Sequence, residues 1–235
     1  MSGPLSLFPD AVPVVTHFGA ERGELVTIDD ALPDPAAVVA IAARHSYRPI
    51  GPFYPGLRAP VSEAVAMPLI EPIGDYLRAI FKLDGPLRYF ECYLSLVTAA
   101  PADLAPIQRL PHFDGVEPDR IAVLLYLDAK ERGGTAFYRQ RATGFESVDE
   151  SRYAAYRSAL DAGVAEHGLP PSAYISGSTP LFDRVHAVEG RFNRLIAYRG
   201  NTLHCADLRR DFAPVSDPAT GRLTLNLFLR GASYY

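Results

Sequence analysis

No stretch of the sequence approaches the roughly eighteen consecutive apolar residues of a membrane-spanning helix, so none is expected. The opening segment, MSGPLSLFPDAVPVV, has neither a basic start nor an unbroken apolar run, and a secretory signal is not expected there. Cysteine is scarce. Cys92 and Cys205 are the only two, which excludes a disulfide framework and predicts reduced thiols in a cytoplasmic setting. No block of like charges occurs, and 23 basic against 27 acidic residues leave a net charge of −4, which argues against a nucleic-acid surface. Internal repeats and low-complexity tracts are also missing. What remains is a globular chain of 235 residues with ample material for a core.

The texture of the chain changes near residue 87. Before it, residues 1–30 read as a short arm with strand character at Leu25 to Ile28. Asp34-Pro35 then has the form of a helix start, aspartate as N-cap and proline at the first helical position. A Pro/Gly-rich loop, RPIGPFYPGLRAP, leads to a second helical region near 61–82. Beyond 87, RYFECYLSLV, IAVLLYLD, TAFYR, PLFDRVHAV, NRLIAYR and RLTLNLFLR are short β-rich runs between turn residues. Short pieces at Ile107–His112 and Thr202–Asp207 bring the count to about eight, as in a double-layered jelly roll. A helix is predicted over 147–168, capped by Asp149 or Ser147 and ended by Gly168. The expected architecture is mainly β with flanking helices (α+β): one domain over 1–235, with an arm and supporting helices in 1–86. A jelly-roll core occupies 87–230.

The chemistry concentrates in His112-Phe113-Asp114. On an extended segment His112 and Asp114 share a face, because side chains alternate with period two, and Phe113 turns into the other layer. With a second histidine the pair makes a 2-His-1-carboxylate facial triad, which holds non-haem Fe(II) and leaves positions open. His204, at a strand end after NRLIAYRGNT, is the best third ligand. His186 stands in reserve, while His45 and His167 read as surface groups at helix ends. Cys205, directly after His204, is placed near the same site. Alone, a His-x-Asp triplet also describes a hydrogen-bonded loop pair.

These residues, with Gly133-Gly134-Thr135 after the next strand and Arg222 opening the last one, resemble the 2-oxoglutarate/Fe(II)-dependent dioxygenases, especially the prolyl-4-hydroxylase-like branch. The resemblance covers roughly residues 87–230. NRLIAYRGNTLHCADL is similar to the family's approach to its distal histidine, and GRLTLNLFLR to its closing strand. The helix at 147–168 and the segment 208–221 lengthen the intervals between the motifs.

The resemblance implies Fe(II) on His112, Asp114 and His204, with Arg222 and Thr224 holding the far carboxylate of 2-oxoglutarate by a bidentate, charge-assisted pair and a hydroxyl. Tyr93, Tyr126 and Asn226 are candidates to support the site. Molecular oxygen is the implied co-substrate, and oxidative decarboxylation of 2-oxoglutarate would be coupled to C–H oxidation of an unidentified substrate, a small molecule or a peptide or protein side chain. Tyr47, Phe53, Tyr54 and Arg58 lie in the Pro/Gly-rich loop as a lid or an inert surface, and loops 139–147 and 208–221 are placed beside the opening. Two other readings stay open: a cupin-like metal enzyme that does not use 2-oxoglutarate, and a non-catalytic jelly-roll binding module.

Overall fold

The computed structural model describes residues 4–209 and 211–231. Ten antiparallel strands form two facing sheets. β1 (Val14–Phe18) and β2 (Gly23–Ile28) make a hairpin, and β3 (Gly56–Pro60) precedes the long β4 (Leu87–Val97). Next come β5 (Arg120–Tyr126), β6 (Gly133–Gln140), β7 (Phe182–Val188), β8 (Leu195–Arg199), β9 (His204–Leu208) and β10 (Leu223–Gly231). The major sheet runs β1-β2-β8-β5-β10-β4-β3 and the minor sheet β7-β6-β9. Their central strands close as a double-stranded β-helix, the jelly roll expected from the sequence.

Alternation along the strands sorts side chains into layers. Leu223, Leu225, Leu227 and Leu229 of β10 point to the outer face of the major sheet, where they join Val123, Leu125 and Leu195. Helices α1 (Pro35–Ala42), α2 (Glu63–Ala66) and α3 (Gly74–Ile80) cover this face through Val38, Ala66 and Leu77. Between the sheets lie Phe18, Tyr126, Phe137, Tyr198 and Phe228. The outer face of the minor sheet, with Tyr138 and Phe182, is closed by Tyr156 and Leu160 of α4 (Glu150–His167). Among the described residues no helix is long and apolar enough to cross a membrane.

The helix punctuation reads as the sequence implies. The Asp34 carboxylate accepts from the Ala37 amide at 2.9 Å and the Asp149 carboxylate from the Arg152 amide at 3.0 Å. Asp149, rather than Ser147, is the cap of α4, which stops at Gly168 with a φ of 77°. Two expectations need correction. Ile107–His112 is not a strand, because Pro106–Arg109 winds into a 3₁₀ turn and only His112 makes a β-bridge, to His204. The arm at 1–30 also contributes two strands rather than one, since β1 and β2 extend the major sheet from β8. Cys92 and Cys205 are both buried, free thiols, as expected.

Candidate metal centre and the cleft around it

Three backbone hydrogen bonds fix the His112–Asp114 segment. His112 and His204 exchange both amide-to-carbonyl bonds at 2.8 Å, and the Asp114 amide donates to the Gly200 carbonyl at 2.7 Å. Phe113 accordingly faces the other way and meets the Tyr156 ring edge-on at 5.7 Å. His112, Asp114 and His204 converge, their nearest donor atoms all within 4.8 Å of one another. His112 Nε2 is 3.8 Å from one Asp114 oxygen, and His204 Nε2 is 3.6 Å from the other. These gaps are too long for hydrogen bonds. They are close to the spacing of about 3 Å between donors that share one ion at metal–ligand distance.

Each side chain is prepared to coordinate. His204 Nδ1 lies 2.8 Å from the Thr202 carbonyl, which accepts its proton and leaves the Nε2 lone pair toward the triad. The Tyr198 ring stands edge-on to His204 at 4.8 Å and limits its rotation. Asp114 Oδ2 is buried without any hydrogen-bond partner. Burial raises the Asp114 pKa, against the opposing charges of His204, Arg120 and Arg58. The His112 side chain is 51% exposed, and partial desolvation, with the charges of His204 and Arg58, holds its pKa well below the usual range. The His112 ring is therefore open to solvent on part of its surface. Two imidazoles beside an orphaned carboxylate fit a divalent cation.

The cross-strand register builds the neighbouring wall. Arg58 of β3 pairs with Ser95 of β4, Ser95 with Thr224 of β10, and Thr224 with Tyr126 of β5. Residues directly opposite share a face, so these four form one polar row on the inner side of the major sheet. Arg222 lies just before β10 and is 4% exposed. Its Nη2 donates to the Gly134 carbonyl at 3.0 Å, while its Nε is buried and unpartnered. The Thr224 hydroxyl donates to Asn226 Oδ1 at 2.7 Å, and Tyr126 shares a 2.7 Å bond with Thr135 across the two sheets. Tyr93 donates its hydroxyl proton to Glu91 at 2.8 Å.

Gly133 and Gly134 permit this arrangement. A Cβ on Gly134 would fall 1.8 Å from the Val188 carbonyl oxygen, and one on Gly133 2.3 Å from that of Asp207. The glycines let β6 lie close between its neighbours, and their carbonyls then receive Arg222.

Some expectations fall elsewhere. His186 stacks on Phe18 at 5.3 Å and is not in the triad. Cys205 turns to the outer face of the minor sheet, among Tyr138 and Leu203. Tyr47 gives its hydroxyl proton to the Ala42 carbonyl and packs on the helical layer, away from the cleft. Loop 139–147 is tied to the β1–β2 turn, where the Glu146 carboxylate accepts from the Ala20 and Glu21 amides. Phe212, in the segment after β9, meets Tyr174 edge-on at 5.8 Å. Sequence reasoning passed over Ser95, whose signal was its two-residue step from Tyr93 on one strand face, and Tyr174, which carried no signal.

Solved structures share this fold. SnoN, a non-heme alpha ketoglutarate dependent epimerase from nogalamycin biosynthesis, is 14% identical with a TM-score of 0.50, over 91% of this chain and 80% of that one. SnoK, a non-heme alpha ketoglutarate dependent carbocyclase from the same biosynthesis, is 15% identical with a TM-score of 0.50, over 88% and 79%. A prolyl-4-hydroxylase of Pseudomonas putida is 15% identical with a TM-score of 0.46, over 89% and 93%. At these identities the likeness is one of fold, that of the 2-oxoglutarate/Fe(II) oxygenases. No curated protein matches the sequence. Residues 9–229 match the model of DUF6445, described as a family of unknown function, and the chain belongs to that family.

Proposed function

We propose that the protein is a non-haem iron oxygenase that uses 2-oxoglutarate and oxidises a C–H bond of a substrate held in the cleft. The observation that carries this reading is a His-Asp-His cluster within 4.8 Å combined with a buried arginine, Arg222, whose Nε is unpaired and which is anchored on β6, the strand paired with that of His204. Of the seven buried side-chain polar atoms without a partner among the described residues, four belong to Arg58, Ser95, Asp114 and Arg222. Buried polar groups are ordinarily paired, and orphans gathered at one place indicate a missing ligand. Two solved structures of the same fold with a TM-score of 0.50, SnoN and SnoK, are named as alpha ketoglutarate dependent, which supports the choice of co-substrate.

In this reading His112, Asp114 and His204 hold Fe(II), which when bound supplies the activation of oxygen. The Thr202 carbonyl keeps His204 in the tautomer that presents Nε2. Arg222 offers its free Nε to the distal carboxylate of 2-oxoglutarate, its other end being anchored on the Gly134 carbonyl. Thr224 can release its proton from Asn226 and donate it to the same carboxylate. Asn226 is therefore the acceptor that parks the hydroxyl, and Tyr126 with Thr135 fixes the floor between the sheets. Tyr93 stands farther along β4, where it holds Glu91.

Anaerobic titration of the Fe(II)-loaded protein with 2-oxoglutarate tests this. We expect a weak visible charge-transfer band that is absent from Asp114→Ala, and a 2-oxoglutarate affinity at least tenfold lower in Arg222→Gln with iron still bound. Iron uptake without the band would overturn the co-substrate. Failure of the wild type to take up iron would return the chain to the class of binding modules.

A further inference from the structure

The proposed function gives a role to Asp114 and Arg222 but none to Arg58. The backbone of Arg58 is held from both sides. It pairs with Ser95 of β4, and on the outer edge it exchanges two hydrogen bonds with Arg48, at 2.8 and 3.0 Å. The guanidinium carbon lies 4.0 Å from the centre of the Tyr54 ring and 5.1 Å from that of Tyr93. These contacts fix the guanidinium without consuming its in-plane donors. No carboxylate among the described residues pairs with it, and its buried Nε has no acceptor. Glu91, which shares a face of β4 with Tyr93, is engaged by the Tyr93 hydroxyl.

The position is as telling as the lack of a partner. Arg58 stands at the β3 end of the inner polar row, two strands from Thr224 of the proposed clamp and joined to it through Ser95. Within the proposed function, 2-oxoglutarate has two carboxylates, one for the metal and one for Arg222. Arg58 is then a surplus cation. A partly buried, unpaired guanidinium is costly unless a ligand completes it.

We propose that Arg58 reads a carboxylate on the oxidised substrate, with Tyr54 and Tyr93 flanking the group that bears it. This rests on the proposed function and names the substrate class: an organic acid with a flat or aliphatic body next to its carboxylate. One planar fork suits a carboxylate, whereas a phosphate would be expected to recruit further donors. The aromatic contacts pre-pay the ordering of the arginine, so its donors need not be fixed again on binding.

The test is anaerobic calorimetry on full-length protein loaded with Fe(II) and saturating 2-oxoglutarate, using phenylacetate and phenylacetamide as matched probes. Wild type is expected to bind the acid at least tenfold more tightly than the amide. Arg58→Gln should abolish that preference, and Arg58→Lys should keep part of it, while both variants melt cooperatively and bind 2-oxoglutarate within about twofold of wild type. Equal or undetectable binding of the two probes by wild type overturns the inference, as does a preference that survives in Arg58→Gln. A tenfold loss of 2-oxoglutarate in Arg58→Gln would overturn it differently, by placing Arg58 in the co-substrate clamp. Absence of 2-oxoglutarate uptake by wild type is a separate result. It sinks the proposed function, and the substrate assignment with it.

Discussion

Asp114 carries opposite demands. In the proposed function its carboxylate holds a cation, but without one it is a buried group whose Oδ2 has no partner. Burial raises its pKa, so folding penalises its charged form relative to the unfolded chain. Asp114→Asn should therefore stabilise the metal-free protein by about 1 kcal/mol in urea unfolding, while abolishing the response to Fe(II). A destabilised variant would mean that the carboxylate is satisfied in some other way. Asp128 has the reverse balance. Burial would raise its pKa, but the Arg132 side chain, at 2.6 Å, and the Lys130 and Arg132 amides outweigh that and lower it. Its contribution to stability is present above the unfolded value of about 3.8 and is lost as pH falls through the lower folded value. Asp128→Asn should cost about 2 kcal/mol at pH 7, and the gap to wild type should narrow only below about pH 4. A gap that closes by pH 6 would refute this account.

At the level of elements, β10 shows how far alternation can be read. Arg222, Thr224 and Asn226 are placed on one face by period two alone, and the four leucines between and after them mark the other. His112 and Asp114 were legible for the same reason, although the segment is pinned by one bridge instead of a full strand. β3 was not legible, because Gly-Leu-Arg-Ala-Pro has no apolar alternation and becomes a strand only through pairing with β4. Arg58 consequently read as a loop residue. Prolines at 106 and 111 likewise favoured a 3₁₀ turn where a strand was expected. The Gly133-Gly134 step was visible as a motif, but its reason, the approach of the Val188 carbonyl, required the third dimension. Gly134→Ala must push β7 off β6 and move the acceptor of Arg222. A loss of about 3 kcal/mol is expected in the urea midpoint, with weakened 2-oxoglutarate binding, and an unchanged midpoint would show that the strands can yield.

On the scale of the whole molecule, the chain stacks a helical layer, a seven-stranded sheet, a thin inner core, a three-stranded sheet and one long helix. The candidate centre draws on both sheets. His204 comes from the minor sheet, Thr224 and Arg58 come from the major one, and Arg222 spans the two. A cation bound only by the folded state adds stability by mass action, about 2.7 kcal/mol at a hundredfold excess over Kd. For a chain of this size that corresponds to a rise of roughly 5–10 °C in Tm. Adding Fe(II) under nitrogen should produce such a rise in wild type and none in His204→Ala. An equal rise in both would mean that the ion binds elsewhere.

The row from Arg58 through Ser95 and Thr224 to Tyr126 also governs how such a protein can diverge. Loop 208–221 can gain or lose residues and merely reshape the rim. A single insertion within β10 would be different, because one step of register turns a polar row toward the helices and a leucine row toward the cleft. Descendants of this sequence are thus free to change what enters the site through their loops, but each strand that builds the site must keep its length parity.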